Sequence, residues 1–218
     1  MNDTLDPVTL AVLRGRLEQV ADEMDATLYR SAFNPIIAEA HDACHGLYDA
    51  TTGDTLVQGK SGLPVFVGAM AFAVRATVKA AEPRGGMRDG DIWISNDAYD
   101  GGTHANDFKL VKPFFRNGKL YCYMASAAHW HDVGGAVPGN YNPAATECWQ
   151  EAVQIPPVRA SYRPWQASCA SAMMGLNALR YSVASISSAT CSRRPRSTAR
   201  VTGSSVSCMF NPPWHRWS

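Results

Sequence analysis

The stretch "FKLVKPFFRNGKLYCYMASAAHW", residues 108 to 130, constrains this chain more than any other. Two apolar, aromatic-rich runs flank Asn117-Gly118. That pair tolerates the two positive φ angles of a tight hairpin turn, so the pattern predicts a long antiparallel hairpin. A hairpin returns its second strand to the level where its first began. Phe108 and the residues near His129 therefore lie at the same open end. The polar segment "SNDAYDGGTHANDF" (residues 95 to 108) leads into that end, and "AHWHDVGG" (residues 128 to 135) leaves it. Turn chemistry alone can thus bring two polar clusters together.

The segments around the hairpin read as helices and short strands. Asp6-Pro7 suits a helix start, because Asp can cap free N–H groups and Pro fits the first turn. Leu10, Leu13, Leu17, Val20, Met24 and Leu28 follow at three- and four-residue steps. They predict an amphipathic helix of roughly 25 residues with one core-facing stripe. "HGLYDATTGDTLVQG" (45 to 59) reads as two short strands around a Thr-Gly-Asp turn, and "VGAMAFAVRATVKAAE" (67 to 82) as a helix ending before Pro83. "GDIWISND" (90 to 97) reads as a strand. The expected fold class is α+β, a long N-terminal helix with antiparallel hairpins.

Charge divides the chain. All 19 acidic residues lie at or before Glu151, against 12 Lys and Arg, so the first part carries −7. The other 8 basic residues, all Arg, lie beyond it and meet no acid. Residues 160–218 contain no Asp, Glu or Lys and are rich in Ser, Arg, Cys and Trp. They read as a disordered Ser/Arg-rich tail, or as a frameshifted or wrongly joined continuation. A basic tail can touch nucleic acid, but nucleic acid is not the expected partner. No apolar run approaches the ~20 residues of a membrane helix, and the start lacks a basic n-region and an apolar h-region. A cytoplasmic location without membrane attachment is therefore expected. The six Cys show no CxxC pair and read as reduced thiols.

Five of the six His lie between positions 41 and 131, each near a carboxylate. Imidazole with carboxylate is a mixed N/O ligand set that suits Zn, Mn or Fe rather than Ca or Mg. In "GGTHAND", Gly101-Gly102 permits a tight loop. His104 and Asp107 can then face one centre, although Asn, Asp, Gly and Thr serve equally well as turn residues. His129 and His131 share one face of a strand, with Trp130 on the other. Asp132 fits a carboxylate that orients an imidazole. His131 and Asp132 form the candidate catalytic pair. Glu39 and Asp42 sit among apolar neighbours, where a carboxylate requires a cation, a metal or N–H donors. A purely structural pair fits there as well. No P-loop, Rossmann glycine pattern or nucleophile elbow is present.

Taken together, "DPVTLAVLRGRLEQVADEMDATLYRSAFNPIIAEAHDACHGLYDATTGDTLVQG", "GDIWISNDAYDGGTHANDFKLVKPFF", "ASAAHWHDVGGAVPG" and "ECWQEAVQIPPVR" resemble the hydantoinase B/oxoprolinase family over residues 4–159. That family includes N-methylhydantoinase B subunits, the matching half of 5-oxoprolinase and the large subunits of acetone and acetophenone carboxylases. The resemblance implies a metal-bearing catalytic subunit of an ATP-dependent cyclic amide hydrolase, or alternatively a carboxylase subunit acting on a ketone. It also implies a hydantoinase A-type partner that binds the ATP. By the same resemblance a divalent metal is held by His104, Asp107 and His129, with Glu39 as the upstream acid and Asp42 close behind it. This chain has Ala98 where the family commonly has Pro, and "HDAC" where it often has "DFS". Because family members run on well beyond Arg159, the chain reads as truncated, and an inactive fragment is a further reading.

Overall fold

The computed structural model describes residues 6–160. The tail reading from 160 onward thus lies outside the described residues except for its first position, as do Cys169, Cys191 and Cys208. The described elements are α1 (Pro7–Ser31), α2 (Pro35–Ala38), β1 (Ala43–Asp49), β2 (Thr55–Gln58), α3 (Pro64–Ala81), β3 (Trp93–Ser95), β4 (Asp107–Arg116), β5 (Lys119–His129) and β6 (Val158–Arg159). The strands form one six-stranded sheet in the order β2-β1-β5-β4-β3-β6, with every neighbouring pair antiparallel. The class is α+β.

The β4–β5 hairpin turns at Asn117 and Gly118, whose φ angles are 52° and 74°. Both are positive, as the tight turn demands. Its register pairs Asp107 with His129 and Phe108 with Ala128 at the open end. Helices cover both faces of the sheet. On one face Val20 and Met24 of α1 pack with Leu47, Leu110 and Met124. On the other Phe66, Met70 and Val74 of α3 pack with Cys44, Tyr48, Val111, Ala125 and Ala127. Burial on both faces explains why the middle strands read as continuous apolar runs rather than alternating ones.

Helix α1 starts as its sequence dictates. The Asp6 carboxylate accepts from the N–H groups of Val8 and Thr9, and Pro7 occupies the first turn. Its stripe is only partly core. Val20, Met24 and Leu28 are buried, whereas Leu10 is 56% exposed. The first turns of α1 lie in solvent together with Val8 and Val12, because the sheet supplies apolar partners only from Leu17 onward. Helix α3 begins three residues before its predicted start, with Pro64 at its first position. With the short turn that follows it, Pro64–Arg84, α3 is long and apolar enough by composition to cross a membrane. This corrects the sequence reading that no segment was. Ala and Gly keep the segment apolar despite Arg75 and Lys79, and one side of it is buried on the sheet.

A buried polar pair lies under the α1 face. His45 Nδ1 sits 2.7 Å from Asp25 Oδ1, and both side chains are almost fully buried. The other oxygen of Asp25 accepts from the Ser61 N–H at 3.2 Å. Gly59 makes room for this carboxylate, since any Cβ there would collide with it. Among the described cysteines, Cys44 and Cys122 are free and buried. Burial pushes both thiols up to about 12.

Candidate metal centre

The candidate site is a row of side chains across the open end of three adjacent strands. Asp107 opens β4 and pairs directly with His129, which closes β5. Ala43 pairs with Ala128, which carries Asp42 alongside His129, and the His129 N–H donates to the Asp42 carbonyl at 3.0 Å. Because directly paired residues share a sheet face, all three point to the α3 side. His104 joins them from the turn before β4, which closes through the Asp107 N–H donating to the His104 carbonyl at 3.1 Å.

The ligand atoms of His104, Asp107 and His129 all lie within 4.8 Å of one another. His104 Nδ1 is 2.7 Å from Asp107 Oδ2, an oxygen that also accepts from the Thr103 hydroxyl. His129 Nδ1 stands 3.8 Å from Asp107 Oδ1 and 3.6 Å from Asp42 Oδ2. The Asp107 side chain is 2% exposed. Its Oδ1, like His129 Nδ1, is buried without a hydrogen-bond partner among the described residues. Native interiors rarely leave such atoms unpaired. Two lone-pair donors facing one another across such a gap fit a cation between them.

The electrostatics divide the two histidines. The hydrogen bond with Asp107 raises the pKa of His104 above the usual imidazole value, against the effect of its partial burial. Burial lowers that of His129, with Asp42 opposing. His129 is thereby held neutral, the form that ligates metals. Burial raises the Asp42 carboxyl, and His129 partly offsets this.

The other sequence candidates fall at the rim. Glu39 ends α2 and is exposed, outside the cluster of ligand atoms. His131 is also exposed, its ring 6.3 Å from that of His129. Strand β5 ends at His129, so strict alternation does not carry His131 into the same position. Trp130 takes the opposite face, stacked on Phe108 at 4.2 Å. Asp132 accepts from the N–H groups of Gly134 and Gly139 at 3.3 and 3.4 Å, so its contacts order the loop rather than an imidazole.

Several residues outside the candidate ligands and catalytic pair support the site, Asn96 among them as a turn residue of the first polar segment. Thr103 holds Asp107. Buried Asn96 donates to the Ala105 and Val153 carbonyls and accepts from the Ile155 N–H, tying the loop to the segment before β6. Asn106 donates to the Trp130 carbonyl, and Asn140 links the Val133 N–H to the Glu151 carbonyl. Lys109 is buried, and burial pulls its pKa down while Asp107 and Asp97 oppose. Counting by two from Asp107 along β4 is the signal that finds Lys109. The asparagines carry no signal that separates them from ordinary turn residues. Gly101 has φ 77°, and a Cβ on it would lie 2.8 Å from the Ala73 backbone, so the loop seats directly on α3.

A two-sided antiparallel sheet with a His/Asp cluster at one open end defines an α+β protein with a candidate metal site. The chain belongs to the hydantoinase B/oxoprolinase family, which matches residues 6–172, a little past the change in composition near 160. It is 34% identical over 157 residues to caprolactamase subunit beta of Pseudomonas jessenii, a stretch covering 72% of this chain and 26% of that protein. It is 32% identical over 152 residues to 5-oxoprolinase of Saccharomyces cerevisiae, covering 69% and 12%. The chain thus spans about a quarter or less of the length of these relatives. The solved structure of the ATP-dependent caprolactamase from Pseudomonas jessenii aligns with TM-score 0.64 and 28% identity, over 84% of this chain and 33% of that one. An acetone carboxylase structure aligns with TM-score 0.73 at 22% identity, over 84% of this chain and 26% of that one, and shares the fold.

Proposed function

We propose that residues 6–160 are the metal-bearing part of a subunit that opens cyclic amides in an ATP-dependent reaction. One observation carries the reading. His104, Asp107 and His129 converge within 4.8 Å, and two of their ligand atoms are buried and unpaired. Asp42 is the fourth ligand by position, 3.6 Å from His129. Glu39, exposed at the end of α2, lies outside the cluster. The mixed N/O set suits Mn, Zn or Fe. Such a metal, when bound, polarises a carbonyl or phosphoryl oxygen or lowers the pKa of bound water.

The chain's own residues supply the rest. Asp107 orients His104, and Thr103 orients Asp107. In this reading His131, exposed on the solvent side beyond the cluster, passes a proton, and Asp132 orders the loop that carries it. ATP is bound by a hydantoinase A-type partner, in keeping with the subunit name of the caprolactamase relative. Unstrained cyclic amides are poor electrophiles, so phosphorylation of the amide oxygen by that partner makes ring opening accessible. A cytoplasmic location is part of the same reading.

The test joins this chain to a hydantoinase A-type subunit and loads it with metal. ATP hydrolysis dependent on 5-oxoproline, a hydantoin or caprolactam is expected without bicarbonate. Bicarbonate-dependent turnover of a ketone would assign the carboxylase reaction instead. Amide-independent ATP turnover alone would overturn the reading.

A further inference from the structure

Tyr29 lies near the end of α1, buried with Leu28, Ile37, Ala43 and Ala128 on the α1 side of the sheet. Its ring stacks on that of His41, with centroids 4.0 Å apart and planes 11° from parallel. Its hydroxyl donates to the Ala43 carbonyl at 3.5 Å. Tyr29 thus meets both chain neighbours of Asp42. His41 has φ 54°, in the left-handed region that few residues other than glycine enter. Such an angle persists where the surroundings hold it. The Asp42 backbone that follows is tied twice. Its N–H donates to the Ile36 carbonyl at 3.0 Å, and its carbonyl accepts from the His129 N–H at 3.0 Å. From there Asp42 Oδ2 stands 3.6 Å from His129 Nδ1.

The stack does more than fill space. A Leu would suit the same apolar cluster, since Leu28, Ile37, Ala43 and Ala128 offer it no polar side chain. What the flat ring adds is a parallel surface that restrains how His41 leaves the chain, and with it the peptide that leads to Asp42. Successive side chains of an extended segment alternate between faces. A grip on His41 and Ala43 from the α1 side therefore leaves Asp42 facing the other way, toward the His/Asp cluster. Groups that hold a ligand's supports rather than the metal orient that ligand.

We propose that Tyr29 is a positioning residue of this centre, whose grip on His41 and Ala43 aims the Asp42 carboxylate at the site. Its role rests on the metal reading above, with Asp42 as the fourth ligand, because Tyr29 acts through that carboxylate. A residue that only packs the core would matter to stability and leave metal affinity unchanged.

The experiment titrates Mn2+ alone into the full chain and into Tyr29→Leu, Tyr29→Phe and Asp42→Ala by calorimetry, with urea unfolding in parallel. Tyr29→Leu is expected to bind Mn2+ about tenfold more weakly. Tyr29→Phe keeps the stack and should stay within about threefold of the unaltered chain. Once Asp42→Ala has weakened binding, adding Tyr29→Leu should change affinity by less than about threefold, because effects that pass through one residue do not add. Unchanged affinity in Tyr29→Leu, an equal loss in Tyr29→Phe, or the same tenfold loss with Asp42 already removed overturns the proposal. Unchanged affinity in Asp42→Ala overturns it as well. If Tyr29→Leu does not fold, His41→Gly is read by the same criteria, since glycine accepts φ 54° and only the ring is lost. Failure of the unaltered chain to bind Mn2+ stoichiometrically would instead remove the metal reading itself. The two failures are thereby separable.

Discussion

Replacing His129 by Ala separates the metal reading from a purely structural one. In the described structure His129 Nδ1 makes no hydrogen bond, and its nearest carboxylates stand at 3.6 and 3.8 Å. The backbone bond from the His129 N–H to the Asp42 carbonyl survives the change. The side chain is 17% exposed, so its removal loses mainly the packing of one ring, about 1 kcal/mol of stability. Metal binding should suffer far more. Loss of a residue that merely supports a ligand typically costs ~10–100-fold in affinity. Loss of one of three converging ligands should cost at least the top of that range, about 2.7 kcal/mol. The assay is a Mn2+ or Zn2+ titration of both proteins, with metal content measured after gel filtration and urea unfolding measured in parallel. Equal stoichiometry and affinities within about threefold would refute the assignment. A collapse in stability with unchanged affinity would refute it more sharply, by showing that the imidazole is a packing element.

Two further predictions concern charge and the opposite face. In the metal-free protein the imidazole of His104 should titrate above 6.5 and that of His129 below it, read from their ring proton resonances, and the reverse order would contradict the Asp107 contact. The sign for stability follows by linkage. The contribution of His104 is full below 6.5 and fades as pH rises through its raised value, whereas His129 makes the fold weaker as pH falls through 6.5. Metal occupancy should decline as pH falls into the His104 range, because protons compete for the same nitrogen. Asp25→Ala should cost about 2–5 kcal/mol in urea unfolding, since it leaves His45 and the Ser61 N–H without their acceptor. It should leave metal affinity unchanged, because Asp25 lies on the α1 face; a loss below about 0.5 kcal/mol would show that the pair is dispensable.

Much of the site was legible because its signals are local. Asn117-Gly118 can hardly form anything but a tight turn, which brings the start of β4 to the end of β5. A one-residue register shift between Phe114 and Phe115, which the turn does not announce, then sets Asp107 opposite His129 rather than Ala128. Asp6-Pro7 likewise set the start of α1 within a few residues. Signals spread over distant segments were not legible. That Asp42 rather than Glu39 stands beside His129 follows from the β1–β5 register, which is set by packing across both sheet faces. The exposure of Leu10 reflects how far the sheet extends beneath α1, which no helical period reveals.

The amino-acid sequence by itself thus determined the hairpin, the start of α1 and the meeting of the two polar segments at the hairpin's open end, since φ preferences and turn length act over a few residues; His104, Asp107 and His129 were singled out within those segments by the family resemblance. Only the tertiary structure decided that Asp42 completes the row, that His131 and Asp132 turn outward to the loop, and that Lys109 is sealed beneath Gly102. Those outcomes depend on which segments, far apart in the chain, come to share one buried volume.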